Sequence, residues 1–330
     1  MSKIGLIVHP VKKEFRKEKC GFNHTPADDF VKSQWQSCTK SATYLIYRWL
    51  IALFFTAVVI ESMFDPDDTK NFWLYFIFMT NWGIMMCMLT NLFGAILVTT
   101  WHFHPEYADK LLNVESLTSP FRIYWGMHII SLVLSIVITI IYWSLLYNAE
   151  ENIISATNVL THIFNSIFMF IDLLIVAHPL RLLHMFLPVL YGSIYAVFSF
   201  IYQKCGGVNN KGMPYIYHVM DWRNPANAFL TVIGVLMLTC FVYMMLFTVY
   251  KLRTFVYRRI YNNSFILPTM TDEFKKTSSV NETAEPGAGP TSKKSNGVQH
   301  SPSGISMVLG NYTVYKNSGF NSNGESIYKY

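Results

Sequence analysis

One apolar stretch of bilayer length carries polar side chains throughout its interior: Ile154-Ser-Ala-Thr-Asn158-Val-Leu-Thr161-His162-Ile-Phe-Asn165-Ser-Ile-Phe-Met-Phe-Ile-Asp172-Leu-Leu-Ile-Val-Ala177. The turn that follows it, His178-Pro-Leu-Arg181-Leu-Leu-His184, adds further ionisable groups. Polar and ionisable groups are costly in hydrocarbon, so they normally face the interior of a helix bundle or a water-filled cavity. The stretch therefore predicts a membrane helix that packs inside a bundle and borders a candidate site.

The composition of the whole chain indicates a membrane protein. Of its 330 residues, 52% are hydrophobic and 14% are charged, and the mean hydropathy is +0.28. Soluble domains average about 25% charged residues. The polar residues concentrate in residues 1–41 and 251–330. The apolar region between them disfavours a soluble helical protein.

Six segments have the roughly 20 apolar residues that a helix needs to cross a bilayer. They are residues 44–64, 72–101, 123–146, 154–177, 182–202 and 226–250. We predict an all-α fold, namely a polytopic transmembrane helix bundle of about six spans. The second segment is long for one span, which favours a tilt or a kink at Gly94, because no turn signal divides it into two helices.

The distribution of Lys and Arg predicts the orientation of the spans. Bases are frequent before and at the start of the first segment, as at Lys40 and Arg48, and again after the sixth, as at Arg253 and Arg258, whereas the third loop has none. Because basic loops tend to stay in the cytoplasm, both termini are predicted to be cytoplasmic. A seventh span, which would put the termini on opposite sides, is the alternative.

The chain divides into three parts by composition. Residues 1–41 are predicted to form a polar cytoplasmic region, residues 42–260 the six-span domain, and residues 261–330 a cytoplasmic tail. From Thr269 onward the tail is rich in Ser, Asn, Gly and Lys and has few large apolar residues. A segment that buries so little apolar surface is expected to be disordered.

Polar residues of the fourth segment recur at helical spacing. Asn158, His162, Asn165 and Asp172 follow one another at steps of 4, 3 and 7 residues. On an α-helix, these steps place the four side chains on one face. That face predicts either the lining of a binding site or a hydrogen-bonded seam between helices.

The turn after this segment is predicted to lie near the cytoplasmic interface. Pro179 would position Arg181 and His184 there, and Arg181 would contact lipid headgroups or pair with an acid. The spacings among His162, His178 and His184 do not match a metal-binding pair at i and i+4, so no metal is predicted. No phosphate-binding loop or dinucleotide fingerprint indicates a cofactor.

Thr80, in the second segment, is a candidate nucleophile. A threonine hydroxyl can attack a carbonyl group if a base activates it, and His162 or His128 would be that base. The structural alternative is a threonine that donates to the carbonyl four residues earlier in its own helix. We expect Thr80, His162 and Asn165 to approach one another inside the bundle.

The loop at 203–225 offers a candidate interaction surface. By the predicted topology it faces outside, and it carries Tyr215, Tyr217, Asp221 and Trp222. Its aromatic side chains would either engage a partner on an opposing cell or lie at the membrane interface and cap the bundle. The net charge of +6 comes without a nucleic-acid reading motif, so membrane lipids rather than nucleic acids are the expected partners.

An ordered set of short motifs runs from about Phe30 to Arg259. The motifs are Val31-Lys-Ser-Gln-Trp35, Tyr47-Arg48-Trp49, Phe78-Met-Thr80-Asn81-Trp82, Thr161-His162-x-x-Asn165-Ser166, Asp172, Pro179-x-Arg181-x-x-His184, Tyr217-x-x-x-Asp221-Trp222 and Pro225. In these motifs the chain resembles the rolling stone proteins of insects. The resemblance implies a multi-spanning protein of the plasma membrane or a related membrane. It also implies a part in myoblast fusion and muscle development, as linked to the family's founder, without known catalysis.

A more distant similarity concerns the androgen-induced-gene family of six-span membrane proteins. That family includes hydrolases of fatty acid esters that use a threonine nucleophile and a histidine. The similarity implies that Thr80 and His162 are catalytic and makes an intramembrane hydrolase the alternative function. The match departs from the pattern at Asn165, which occupies the position expected for the catalytic histidine and cannot act as a general base.

Overall fold

A computed structural model describes residues 21–24, 26–64, 72–104, 106–107, 119–147 and 156–264 of the chain. Six long helices cross the described part. They are α1 (Ala42–Met63), α2 (Met79–Phe103), α3 (Pro120–Ile141), α4 (Thr157–Ile175), α5 (Phe186–Lys204) and α6 (Pro225–Ser264). Each is long and apolar enough to cross a membrane, which confirms the predicted all-α polytopic bundle. The predicted disordered tail after residue 264 lies outside the described residues.

The second predicted segment is divided, contrary to the expectation of one tilted or kinked helix. A 3-10 helix, Phe72–Ile77, comes first, and α2 begins after Phe78, whose backbone is extended (φ −87°, ψ 132°). Side chains of α2 bind carbonyls that the interrupted helix leaves open: Asn81 Nδ2 donates to Tyr75 O at 2.7 Å, and Trp82 Nε1 to Phe76 O at 2.6 Å. The break therefore needs neither Gly nor Pro.

Helix α3 lies at the centre of the bundle. It packs against α2, α4, α5 and α6. Its side chains Tyr124, Trp125, Ile129 and Leu132 are fully buried. The apolar core is therefore arranged around α3, with neighbouring helices on several sides.

Two helices contain π-helical turns at the same end of the bundle. The helix α3 continues as a π-helix over Tyr142–Leu146, and α4 contains one over Leu160–Phe164. The turn in α4 falls between Asn158 and Asn165. The predicted polar face of Asn158, His162, Asn165 and Asp172 assumed regular α-helical spacing, and the π-helical turn interrupts that spacing.

The helix α6 is longer than the predicted segment, which ended at residue 250. Its 40 residues span about 60 Å at 1.5 Å per residue, whereas the hydrocarbon core of a bilayer is about 30 Å thick. Basic side chains of the additional turns lie over aromatic rings of the same helix: Lys251 over Phe247 at 5.0 Å and Arg259 over Phe255 at 5.3 Å. These contacts lie in or next to the part of α6 that extends beyond the predicted apolar segment.

Residues before α1 pack against the end of α4. The backbone N–H of Gln34 donates to Ile175 O at 2.8 Å, and Ser33 Oγ donates to the same carbonyl at 3.0 Å. The guanidinium group of Arg253 donates to the carbonyls of Leu173 and Val176. The carbonyls at the last turn of α4, which have no partner within the helix, are thereby satisfied.

The bundle has two distinct ends. We call the end where residues 26–41 contact α4 and α6 the amino-terminal end; there Tyr261 donates to Trp35 O at 3.0 Å. We call the opposite end, where residues 205–224 lie, the loop end. There the Tyr217 hydroxyl accepts from Met79 N at 2.9 Å, and Thr157 donates to Glu61 at 2.5 Å.

Gly94 provides space between helices rather than a kink. A Cβ atom added at Gly94 would lie 2.1 Å from Arg48 Nη2 and 2.8 Å from Tyr124 Cε2. Both neighbours are fully buried and hydrogen-bonded to each other at 2.9 Å. The arginine therefore reaches its partners because residue 94 has no side chain.

We predict that Gly94→Ala lowers the stability of the purified protein. The added methyl group displaces Arg48, and overpacking of this kind costs about 1–3 kcal/mol. The measurement is the midpoint of thermal unfolding in detergent. Gly234→Ala is the matched control, because a Cβ at that helical glycine meets nothing within 4 Å. An equal loss in both variants would contradict the steric explanation.

Candidate functional site

A polar cavity of about 730 Å³ lies at the loop end. Three of the predicted site residues line it: Thr80 from α2, and Asn158 and His162 from α4. Further polar lining comes from Ser62, Asn81, Thr157, Thr161, Asn209, Asn210, Lys211 and His218. The structure therefore brings Thr80 and His162 to one cavity, as expected. Their catalytic roles remain predictions.

The His162 ring lies flat against an aromatic ring of α3. Its centroid is 3.5 Å from that of Tyr142, and the two planes differ by 3°. The side chain is 6% exposed, and Nδ1 has no hydrogen-bond partner among the described residues. The π-helical turns that contain Tyr142 and His162 bring these two rings together.

Thr80 is adjacent to the loop that closes this end. Tyr217 from the loop lines the same cavity. Burial raises the pKa of the Tyr217 hydroxyl, while its hydrogen bonds with Met79 and Thr80 act in the opposite direction. At neutral pH, Tyr217 is thus a protonated hydroxyl group at the wall of the cavity beside Thr80.

Asn165 is separated from the cavity, contrary to the prediction that Thr80, His162 and Asn165 approach one another. It is fully buried, is not among the lining residues, and its Oδ1 accepts from Cys87 Sγ at 3.3 Å. The π-helical turn Leu160–Phe164, which contains His162 and ends immediately before Asn165, changes the register of the helix. Asn165 therefore belongs to the contact between α2 and α4.

Asp172 is the acceptor at the centre of a buried ionic cluster. Its Oδ1 accepts from Arg48 Nη1 and from the Tyr47 hydroxyl, each at 2.8 Å, and its Oδ2 lies 2.8 Å from His128 Nε2. The second guanidinium nitrogen, Arg48 Nη2, donates to Tyr124 at 2.9 Å. The Arg48 and Asp172 side chains are both 0% exposed. The cluster links α1, α3 and α4 by charge-assisted hydrogen bonds, which are stronger than neutral ones.

Arg48 corrects a conclusion from the charge pattern. The charge pattern placed Arg48 among the cytoplasmic bases, but Arg48 lies inside α1 and pairs with Asp172. Arg253 was also predicted to be a cytoplasmic base, but it is 4% exposed and donates to the carbonyl of Val176 at the end of α4. The sequence did contain a signal for a buried arginine. Asp172 is an isolated acid within an apolar segment, and a charge within a membrane helix requires a partner of opposite sign.

Two histidine rings extend the cluster toward the amino-terminal end. The rings of His128 and His178 meet edge to face at a centroid distance of 4.5 Å. Burial holds the pKa of His178 well below its usual range, and neither ring nitrogen has a hydrogen-bond partner among the described residues. Within the described residues, no group of three or more His, Cys, Asp or Glu side chains is arranged to hold a metal.

Arg181 and His184 hold the segment before α1 instead of projecting to headgroups. Arg181 is 8% exposed, donates to the carbonyls of Gly21 and Asn23, and lies 4.8 Å from the Trp125 ring centroid. His184 stacks on Phe22 at 4.5 Å. The predicted headgroup contact of Arg181 is wrong, because residues 21–24 cover this turn.

The loop after α5 packs onto the helices. Trp222 is buried, its Nε1 donates to Ser199 at 3.1 Å, and its backbone N–H donates to Gln203 at 2.9 Å. Asp221 accepts from the guanidinium group of Arg223, and this hydrogen bonding lowers the pKa of Asp221. The loop therefore caps the bundle; its contact with a partner on another cell remains a prediction.

The described residues form a bundle of six helices that are apolar enough to cross a membrane and that are joined by buried polar contacts. The sequence profile of the family described as "Protein rolling stone" matches residues 3–268. The chain is 34% identical over 259 residues to "Protein rolling stone" of Drosophila melanogaster, covering 77% of this chain and 91% of that protein. The chain belongs to the rolling stone family. No solved structure matches it significantly.

We predict that Asp172→Asn strongly destabilises the protein. The substitution leaves the buried charge of Arg48 without its counter-ion, and breaking a buried pair in this way costs about 3–5 kcal/mol. The measurement is thermal unfolding in detergent together with the yield of monodisperse protein. Asp221→Asn is the control, because its partner Arg223 is 62% exposed and surface pairs contribute little. Equal losses of stability in the two variants would contradict the claim that the buried cluster stabilises the protein more than a surface ion pair does.

Proposed function

We propose that this chain is an integral protein of the plasma membrane that acts in myoblast fusion and muscle development without catalysis. The observation that carries the proposal is membership of the rolling stone family over residues 3–268. That family's founder is the protein linked to fusion. The comparisons match this family and do not favour the hydrolase alternative.

The roles of the motif residues in the structure support a non-catalytic function. Arg48 and Asp172 join three helices, Trp35 Nε1 donates to Leu174 O at 2.8 Å, and Arg181 binds the segment before α1. Tyr217 and Trp222 attach the loop to α2 and α5. These motif residues thus build the bundle and close its ends, which suits a protein that presents a defined surface.

The proposed orientation puts the amino-terminal end in the cytoplasm and the loop end outside the cell. The loop end would then face an opposing cell, with the 203–225 loop as its contact surface. Exposed groups in this loop include Val208, Lys211, Met213 and His218. The basic turns at the end of α6 would lie at the cytoplasmic leaflet, where anionic lipids attract Lys and Arg.

Depletion of the protein from differentiating myoblasts that express it is expected to reduce the number of nuclei per myotube several-fold. Re-expression of the wild-type chain restores fusion. Thr80→Val, which keeps the side-chain shape but removes the hydroxyl, restores it equally at matched surface levels. Normal fusion after complete depletion would contradict the role in fusion. A failure confined to Thr80→Val would instead contradict the non-catalytic claim.

Two exposed cysteines at opposite ends of the bundle test the orientation. Cys38 precedes α1, and Cys205 follows α5. In intact cells, a membrane-impermeant maleimide is expected to label the wild-type chain and Cys38→Ser but not Cys205→Ser. Permeabilised cells provide the control, because both variants should then be labelled. Labelling that survives Cys205→Ser would reverse the orientation, because Cys20 and Cys38 both precede α1 in the sequence. Absence from the cell surface would contradict the plasma-membrane location.

A further inference from the structure

The last turns of α6 continue past the end of the neighbouring helix α4. Arg253 donates to the carbonyls of the last turn of α4, so α6 passes that end near this residue. We call residues 252–264 the α6 extension; they span about 20 Å at 1.5 Å per residue. One side of the extension packs on the chain: the ring centroids of Tyr257 and Trp35 are 5.9 Å apart, and Tyr261 donates to Trp35 O.

The opposite side of the α6 extension is apolar and exposed. Its residues follow one another at steps of 3, 1 and 4, which places them on one face of a helix. Between 38% and 60% of each side chain is exposed. A set of neighbouring exposed apolar side chains marks an interaction site more often than a single one does. We call this set the apolar face; it consists of Leu252, Phe255, Val256 and Ile260.

A bilayer does not cover the whole apolar face. The first large exposed apolar residue of α6 is Phe229, and about 20 residues from there cross the hydrocarbon core of about 30 Å. The headgroup region adds about 5–8 Å on each side, which is about three to five further residues. Lys251 therefore lies at the leaflet, whereas the apolar face from Phe255 onward lies beyond the lipids.

The charges around the apolar face are basic. Arg258 and Arg259 are exposed, and the Arg259 guanidinium group lies 5.3 Å from the Phe255 ring centroid. The sequence of α6 contains no Asp or Glu. A second copy of the chain would bring like charges together at this face. Residues 265–330 carry five Asp or Glu and six Lys, so they supply no acidic counterpart. Charge complementarity therefore favours an acidic protein with an apolar groove.

We propose that the α6 extension binds one lobe of a calcium-loaded EF-hand sensor protein. Calcium opens an apolar, Met-rich groove in such a lobe, and flexible methionines accept apolar anchors of different sizes. Basic amphipathic helices with anchors at i, i+3 and i+4 are typical targets of this groove. One lobe is favoured over two because Trp35 occupies the side that carries Tyr257. The cytoplasmic location of this face rests on the proposed orientation, but the binding site does not depend on the role in fusion.

The test is binding of calmodulin to the full-length protein in nanodiscs of phosphatidylcholine. Both faces of a nanodisc are open to solution, so the result does not depend on the orientation in cells or on the outcome of the fusion assay. Dansyl-labelled calmodulin is expected to bind saturably in calcium and to dissociate when EGTA removes the calcium. No binding in calcium, or equal binding in EGTA, would overturn the proposal.

Substitutions in the apolar face test its contribution. The double variant Phe255→Gln and Ile260→Gln keeps good helix formers but removes two anchors, and it is expected to bind calmodulin at least tenfold more weakly. Met213→Gln is the matched control, because Met213 is an exposed apolar residue at the loop end. The midpoint of thermal unfolding checks that each variant is folded. Wild-type affinity of the folded double variant would assign the binding to another surface and overturn the proposal.

Salt dependence tests the charge complementarity. The double variant Arg258→Gln and Arg259→Gln is expected to weaken binding about fivefold at about 0.1 M KCl. Raising KCl to about 0.5 M should weaken wild-type binding more than that of the variant, because salt screens exposed charges. Lys204→Gln, an exposed base at the end of α5, is the control. Wild-type affinity and salt dependence in the arginine variant would contradict an acidic partner.

Lipid quenching tests the membrane as the competing occupant. Bimane is attached at Val256→Cys in a chain whose Cys20, Cys38 and Cys205 are replaced by serine. In nanodiscs that contain phosphatidylserine, a doxyl group on the lipid headgroup is expected to quench the bimane weakly, and calcium-loaded calmodulin should shift the bimane emission to the blue. Strong quenching that persists with calmodulin would assign the apolar face to the membrane surface and overturn the proposal.

Discussion

The packing of the bundle depends on the ion pair between Arg48 and Asp172. Both charges are completely buried within helices apolar enough to lie in a membrane, where an unpaired charge is costly. Asp172 also accepts from Tyr47 and contacts His128, and Arg48 Nη2 donates to Tyr124, so the cluster connects α1, α3 and α4. Gly94 on α2 leaves room for the arginine. One interaction therefore constrains four helices.

The number of spans was predictable because apolar length is a local property of the sequence, but the start of the second span and the end of the sixth were not. The partners of the charged residues were not predictable, because the sequence does not distinguish an arginine at the membrane interface from an arginine in a buried ion pair. Arg48 and Arg253 were therefore assigned to the surface, and both are buried. The break at Phe78 was missed because Asn81 and Trp82, rather than a glycine or proline, satisfy the open carbonyls. Thr80 and His162 line one cavity, as expected, whereas Asn165, after the π-helical turn, does not.

The two ends of the protein differ in ways that suit different roles. At the amino-terminal end, residues 21–24 and 26–36 cover the turn at Arg181 and cap α4, and Phe22 and Phe30 pack against Trp125. At the loop end, the loop closes over α2 and α5 but leaves a polar cavity that shares part of its lining with a smaller apolar one. The closed end supports the bundle. The loop end combines this polar cavity with the surface that the proposed topology presents outside the cell.

A double-mutant cycle on Arg48→Met and Asp172→Leu tests the central role of the ion pair most directly. The free energy of unfolding would be measured for the wild type, both single variants and the double variant. If the pair constrains the bundle, each single variant leaves a buried charge unpaired, and the double variant is more stable than either, because buried pairs replaced by apolar side chains are often tolerated. Additive losses in the double variant would contradict this account and would place the organising contacts elsewhere in the bundle.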